Sequence, residues 1–122
     1  MKKTIIILAM LFCSINIYSQ TSTWTGGISP FTHGNGTQAN PHLIENAEQL
    51  AYLAQVVNAG TGSYDSAYYK VMVDIDLNSI PWTPIGFSSS NFFSGNFDGN
   101  GHNIANMIVN SSTAINGYGG LF

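Results

Sequence analysis

The segment that most constrains the fold is residues 92–109, which predicts two short strands around a glycine-rich turn. Side chains alternate between the faces of an extended chain, so Phe93, Gly95 and Phe97 share one face. The turn, residues 98–101 (Asp-Gly-Asn-Gly), offers two places where the backbone adopts a positive φ at little cost. A unit this short cannot form a hydrophobic core of its own. The sequence therefore predicts that it packs against a neighbouring unit.

Residues 1–19 predict a secretory signal peptide. Two lysines precede an apolar run over residues 4–12, and the segment ends in a small residue before a polar one. The run is too short to span a bilayer, which takes ~20 apolar residues. Cys13 leaves a lipoprotein signal open, although Phe12 is bulky where that signal has a small residue. We therefore expect a secreted or cell-surface location, with no membrane span after the signal is removed.

The composition after residue 19 excludes several classes of partner. Lys70 stands alone against six acidic residues, so the formal charge of this part is −5. Nucleic-acid binding relies on clustered Lys and Arg, and we therefore predict no nucleic-acid partner. An anionic membrane surface is excluded for the same reason. The one cysteine lies within the signal, so no disulfide is expected.

One helix is predicted over residues 47–59. Asn46 can cap its N-terminus, with Gln49 three residues further on, and Gly60 is placed to end it. Apolar residues recur at the spacing of one buried helical stripe. We expect this helix to cover an open sheet edge. The clearest strand is residues 69–77, where apolar and polar side chains alternate.

Three segments that follow one another along the chain, residues 82–86, 93–104 and 120–122, resemble the start of a GLUG-repeat region. That repeat occurs in bacterial secreted and surface proteins, including the non-catalytic region of immunoglobulin A metallopeptidases. Residues 36–44, the helix and residues 74–77 resemble the lead-in to such repeats. The structural motif that carries the resemblance consists of Trp82, Pro84, Ile85, Gly86, Phe93, Gly95, Phe97, Asp98, Gly99, Gly101, His102, Ile104, Gly120, Leu121 and Phe122.

The resemblance implies a mostly β fold, a right-handed parallel β-helix (a solenoid of short rungs) with the helix as its N-terminal cap. The chain then divides into a signal peptide over 1–19, a polar lead-in over 20–45, and the capping helix with the start of the β-helix over 46–122. The resemblance carries over no catalytic residues, because the motif is structural. Only one complete repeat is present, whereas solenoids usually need about three. We therefore expect a fragment that continues into further repeats.

Two acidic patterns resemble reactive sites without meeting their requirements. Asp74 and Asp76 point to one face of the predicted strand, about 7 Å apart. A catalytic pair must flank the substrate bond from two sides, which carboxylates on one strand face do not do. Residues 98–101 offer oxygen ligands at alternate positions but lack the remaining ligands of a calcium loop. We interpret both patterns as structural.

The histidines and serines give no site either. His33, His42 and His102 lack metal-ligand spacing, and the run over residues 88–90 lacks the context of a nucleophilic serine. We therefore predict no cofactor, no metal and no enzymatic activity. If the turn corners need a positive φ, Gly99→Val and Gly101→Val should impair folding.

The aromatic residues point to binding. Exposed rings could stack on sugars or anchor a protein partner, so a host protein or a glycan is the expected ligand. Eight residues exceed the needs of one small core: Trp24, Tyr64, Tyr68, Tyr69, Trp82, Phe87, Phe92 and Phe93. Of the aromatic residues, we expect Trp82, Phe93 and Phe97 in the core.

The leading hypothesis is a non-enzymatic exported repeat module for surface display, adhesion or spacing. Two alternatives stay open, a carbohydrate-binding module and a fragment of a β-helical glycan-degrading enzyme. A lyase acting on acidic sugars needs basic groups to neutralise carboxylates, and Lys70 is the one candidate left after residue 19.

Overall fold

The computed structural model describes residues 20–110 and 119–122, so the predicted signal peptide lies outside the described residues. The described residues form short strands and one helix. In chain order these are β1 (Thr21–Thr23), β2 (His42–Ile44), α1 (Ala47–Asn58), β3 (Tyr68–Val71), β4 (Asp74–Asp76), β5 (Asn96–Asp98) and β6 (Ile104–Ala105). The first two strands come from the segment predicted as a polar lead-in.

The strands form two three-stranded parallel sheets. One has the order β1-β4-β6 and the other β2-β3-β5, so β4 and β3 are the central strands. In the second sheet Tyr69 lies opposite both His42 and Phe97. In the first, Ile75 lies opposite Ser22 and Ile104. Each sheet is therefore assembled from three separate parts of the chain.

The prediction of a right-handed parallel β-helix is wrong. The described residues form two small sheets and one helix, a small mixed α/β domain, with neither a solenoid of repeated rungs nor a closed sheet. The physical reason is that the glycine-rich motif contributes one short strand to each sheet, β5 and β6. The motif segment over residues 82–86 is a loop instead of a further strand. Two to four residues per strand give short ladders, and each sheet ends at three strands.

The predicted strand over residues 69–77 is two strands in different sheets. The chain leaves the second sheet after Val71 and enters the first at Asp74. The alternation of burial continues across the break, since Val71, Val73 and Ile75 are all buried. Both sheets pack on one core, so the same side of the chain stays inward through the bend. The alternation of apolar and polar residues identified the buried face of this segment, but it did not show where β3 ends and β4 begins.

The predicted helix is confirmed, ending at Asn58 with Ala59 as its C-cap. The Asn46 side chain accepts a hydrogen bond from Gln49 N at 2.8 Å. Gln49 Oε1 in turn accepts from Glu45 N at 2.7 Å, so the two side chains satisfy donors at the start of the helix. The apolar face of α1 joins the core that both sheets share.

The core is centred on two tryptophans, Trp24 and Trp82, whose rings meet edge to face at 5.6 Å. Trp82 is buried as expected, whereas Phe93 and Phe97 are half-buried and pack against the core. Both phenylalanines contact Phe122, at ring distances of 4.9 and 5.2 Å. The end of the chain therefore folds back onto the glycine-rich motif.

Candidate functional site

The glycine-rich turn is held by side chain to backbone hydrogen bonds. Asp98 Oδ1 accepts from Asn100 N at 2.8 Å, and Asn100 Nδ2 donates to Val71 O at 3.0 Å. The positive φ values in this turn belong to Asn100 (51°) and Gly101 (72°). Gly99 has no such φ, and a Cβ added there would meet no atom within 4 Å. Gly101 has the positive φ on which the expected folding effect of Gly101→Val depends. Gly99 does not, so the argument does not apply to Gly99→Val.

The two carboxylates of β4 hold the residues around β6. Asp74 Oδ1 lies 2.9 Å from His102 Nδ1 and accepts from Asn103 N at 3.1 Å. Asp76 Oδ1 accepts from Asn106 Nδ2 at 2.8 Å and from Asn78 N at 2.7 Å. The hydrogen bond from Asn106, followed by that from Asn78, holds the pKa of Asp76 below its usual value. Both carboxylates thus fasten turns to the central strand.

The three histidines lie in different surroundings. His102 pairs with Asp74, 28 residues away in sequence, and His33 Nδ1 lies 2.7 Å from Glu45 Oε2. The hydrogen bond from His33 is the main reason that the pKa of Glu45 is lowered. Within residues 20–110 and 119–122, no three His, Cys, Asp or Glu side chains are placed to hold a metal ion.

The motif loop over residues 82–86 connects α1 to the end of the chain. Asn58, at the end of the helix, donates to Pro84 O at 2.9 Å and accepts from Gly86 N at 2.7 Å. Ile85 N donates to Leu121 O at 2.8 Å. A side chain at Gly86 would collide with the backbone at Phe93. Gly120, adjacent to Leu121, is half-buried. The motif residues here serve packing and backbone pairing.

A cluster of five rings, which we call the aromatic cluster, joins five separate parts of the chain. Phe31 stacks on His42 at 4.8 Å and lies 5.4 Å from Tyr52. His42 also lies 5.6 Å from Tyr64 and 5.5 Å from Tyr69. The Tyr69 hydroxyl donates to Tyr64 O at 2.6 Å, and burial raises the pKa of Tyr69. Sequence patterns missed this cluster, because no local spacing brings these residues together.

His42 is the electrostatically distinctive member of the aromatic cluster. Its Nδ1 is buried and has no hydrogen-bond partner among the described residues. Burial among the rings lowers its pKa, because desolvation disfavours the charged form. The side chain is therefore held in its neutral form at neutral pH. The sequence offers no signal for this role, because His42 lies in a short extended segment without an aromatic neighbour.

A cleft of about 500 Å³ opens beside the aromatic cluster, and we call it the His42 cleft. Its walls are residues 35–37 of one turn and residues 62–64, 66 and 67 of a loop, with His42 between them. None of the lining side chains carries a carboxylate, an ammonium or a guanidinium group. The lining residues are Asn35, Gly36, Thr37, His42, Gly62, Ser63, Tyr64, Ser66 and Ala67.

A second cavity, of about 330 Å³, lies between α1 and the two core tryptophans. Its wall is mainly apolar, with Gln55 and Asn58 among its few polar side chains. Trp24 and Trp82 line it but are almost fully buried, so neither presents an open ring face. Of the aromatic residues expected to be exposed for binding, Phe92 is the most exposed large side chain, at 60%.

The chain is similar to parts of two much longer proteins. A protein of Evansella cellulosilytica, named provisionally as a Gly-rich membrane protein, is 33% identical over 100 residues, which cover 77% of this chain and 10% of the relative. Halomucin of Haloquadratum walsbyi is 35% identical over 85 residues, 66% of this chain and 1% of that protein. The chain thus spans at most 10% of the length of these relatives. Neither a protein-family profile nor a solved structure matches it.

These similarities indicate a protein associated with a membrane or a cell surface. No helix in the described part of the chain has the length and apolar character needed to cross a membrane. The names of the relatives do not bear on the GLUG resemblance, which stays a prediction.

Proposed function

We propose that this chain is a non-enzymatic module of an exported protein, held at the cell surface and serving display, adhesion or spacing. The relatives support a surface setting through their names, since one is named provisionally as a Gly-rich membrane protein and the other is halomucin. The predicted signal peptide supports export. The GLUG resemblance points to the same class of bacterial surface protein.

The use of the carboxylates on β4 carries the non-enzymatic part of the proposal. Asp74 is bonded to His102 and Asn103, and Asp76 accepts a hydrogen bond from Asn106, so these contacts fasten the residues around β6 to the central strand. A catalytic carboxylate acts on a substrate from an open position, and a pair must flank the bond that breaks. These two side chains lie on one strand and are already engaged in structural contacts.

The motif residues support the same conclusion through their contacts. Residues 82–86 bond to Asn58 at the end of α1 and to Leu121, and Phe122 packs on Phe93 and Phe97. All of these contacts connect one part of the chain to another. A motif used in this way builds a scaffold, on which exposed loops are free to contact a partner.

Surface exposure is tested by treating intact cells with protease and following the protein with an antibody to this module. We expect the module to be degraded in intact cells while a cytoplasmic control protein survives. Full protection in intact cells, with degradation after lysis, would contradict the surface assignment.

Enzymatic activity is tested separately by incubating the purified protein with neutral and acidic glycans. We expect no turnover. Turnover that disappears in Asp74→Asn, and persists in the matched variant Asp65→Asn, would refute the non-enzymatic assignment. The Asp65 side chain takes no part in the contacts around β6, so it controls for the loss of one negative charge.

A further inference from the structure

We propose that the His42 cleft binds a neutral carbohydrate, with Tyr64 as the aromatic contact and the surrounding hydroxyl and amide groups as hydrogen-bond partners. The proposal rests on the proposed function in one respect, since it names the ligand class through which the module would make contact at the surface. It assigns the role to residues outside the GLUG-like motif.

The size of the His42 cleft suits a small ligand. Its volume of about 500 Å³ lies within the range of roughly 300–1,000 Å³ typical of small-molecule sites. It is larger than the apolar cavity beside Trp24 and Trp82, at about 330 Å³. The cleft also opens at exposed residues, Ser63 and Ser66 among them, so a ligand has a direct path to it.

The chemistry of the lining favours a sugar over other ligands. Hydroxyls of Thr37, Ser63 and Ser66 and the amide of Asn35 can both donate and accept hydrogen bonds, as sugar hydroxyls do. An aromatic ring, that of Tyr64, adds an apolar surface with a polar tip. This mixture of one aromatic side chain and several uncharged polar groups matches a ring that carries both C–H faces and hydroxyl edges.

The absence of charge in the lining selects for a neutral ligand. The lining side chains include no acidic or basic group, and His42 is held neutral by burial among aromatic rings. A ligand with a carboxylate or a phosphate would lose its hydration without gaining an opposite charge. A cationic ligand would lose hydration in the same way. Neutral sugars do not carry this cost.

Both walls of the His42 cleft are fixed before a ligand arrives. On one side, Gly36 O accepts from Tyr68 N at 2.9 Å, and Gly36 N donates to Asn40 O at 3.1 Å. On the other, Tyr64 O accepts from the Tyr69 hydroxyl, whose ring is buried. A site that is already ordered loses less conformational entropy on binding. The aromatic cluster thus holds this wall of the His42 cleft in place.

The test is an array of neutral and charged glycans probed with the purified protein, followed by isothermal titration calorimetry with the neutral glycan that binds best. Ser63→Trp places a large ring in the cleft, and we expect it to weaken binding by about tenfold or more. Ser89→Trp adds the same ring on an exposed loop that does not line the cleft, and we expect its affinity to stay within about twofold. Equal affinity in Ser63→Trp and Ser89→Trp would overturn the proposal.

A second measurement avoids dependence on variants. Amide chemical shifts of the wild-type protein, titrated with the same glycan, should change at Thr37 and Tyr64. They should stay constant at Ala51, which lines the second cavity and not the His42 cleft. Shifts confined to residues around Trp24 and Trp82 would place binding in the apolar cavity and refute the assignment. A blank array, or binding of charged glycans alone, refutes it too. These outcomes leave surface exposure and the absence of turnover unaffected, so the two proposals fail separately.

Discussion

Gly95→Ala is predicted to destabilise the protein although Gly95 lies outside the region of positive φ. A Cβ added at Gly95 would collide with the carbonyl oxygen of Ala67 and lie 2.9 Å from Cζ of Phe93. The carbonyl of Ala67 cannot move freely, because it accepts from Asn96 N at 3.0 Å and belongs to the segment that enters β3. The added methyl group must therefore push β5 away from β3.

The size of the effect follows from what this displacement breaks. Two backbone hydrogen bonds flank Gly95, one from Asn96 N to Ala67 O and one from Ser94 N to Asp65 O at 2.8 Å. Each contributes about 1 kcal/mol net, and overpacking typically costs about 1–3 kcal/mol. We expect the free energy of unfolding to fall by about 2 kcal/mol. For a domain of this size that corresponds to a decrease in Tm of roughly 8–16 °C.

Urea unfolding followed by tryptophan fluorescence measures this change, since Trp24 and Trp82 lie in the core. The matched control is Gly99→Ala, at the residue that directly follows β5. A Cβ there meets no atom within 4 Å and requires no unusual φ, so the free energy of unfolding should stay within about 0.5 kcal/mol of wild type. If Gly95→Ala is as stable as Gly99→Ala, the steric argument is refuted.

Three further predictions concern side chains that the structure singles out. Asn58→Ala leaves Gly86 N and Pro84 O without their hydrogen-bond partner, so the free energy of unfolding measured in urea should fall by about 2 kcal/mol. Asn58→Asp keeps the acceptor for Gly86 N and should lose less. Because burial lowers the pKa of His42, the unfolded chain binds more protons below about pH 6.5, and stability should fall as the pH drops through that value. His42→Phe should reduce this dependence in thermal melts from pH 7.5 to 5, and an unchanged profile would refute the assignment to His42. The hydrogen bond from Asn106 lowers the pKa of Asp76 in the folded state. The ionised carboxylate therefore stabilises the folded protein fully above the unfolded-state pKa near 3.8, and this stabilisation is lost as the pH falls through the lower folded-state pKa. Asp76→Ala should therefore speed amide exchange at Asn78 at neutral pH, and wild-type exchange there would contradict the role of this carboxylate.

The local predictions succeeded where neighbours in sequence decide the structure. The helix begins after Asn46, as the capping side chain indicates. This could be predicted because the Asn46 side chain and Gln49 N, which donates to it, lie within four residues of each other. The turn at residues 98–101 uses Asp98 as an acceptor for Asn100 N, as its composition indicates. The sequence offered two places for a positive φ within that turn, whereas in the structure Asn100 and Gly101 adopt it and Gly99 does not.

The candidate site could not be predicted from the sequence. The aromatic cluster draws on two loops, two strands and a helix, and its members are Phe31, His42, Tyr52, Tyr64 and Tyr69. Contacts between such distant residues depend on which strands pair, and the pattern of each segment carries no record of its partner. The same reasoning applies to the carboxylates of β4, whose partners near β6 lie about thirty residues away.

The sequence by itself determined the short-range features of this protein: the helix and its cap, the alternation that marks the buried face of residues 69–77, and the turn chemistry around Asp98. Each depends on hydrogen bonds and side-chain periodicity within a few residues. Tertiary structure alone decided that this alternating segment divides between two sheets, that the strands described form two sheets of three, and that a neutral histidine lies beside an open cleft. These features depend on pairing between distant segments and on burial, which removes a side chain from water and so sets both its packing and its pKa.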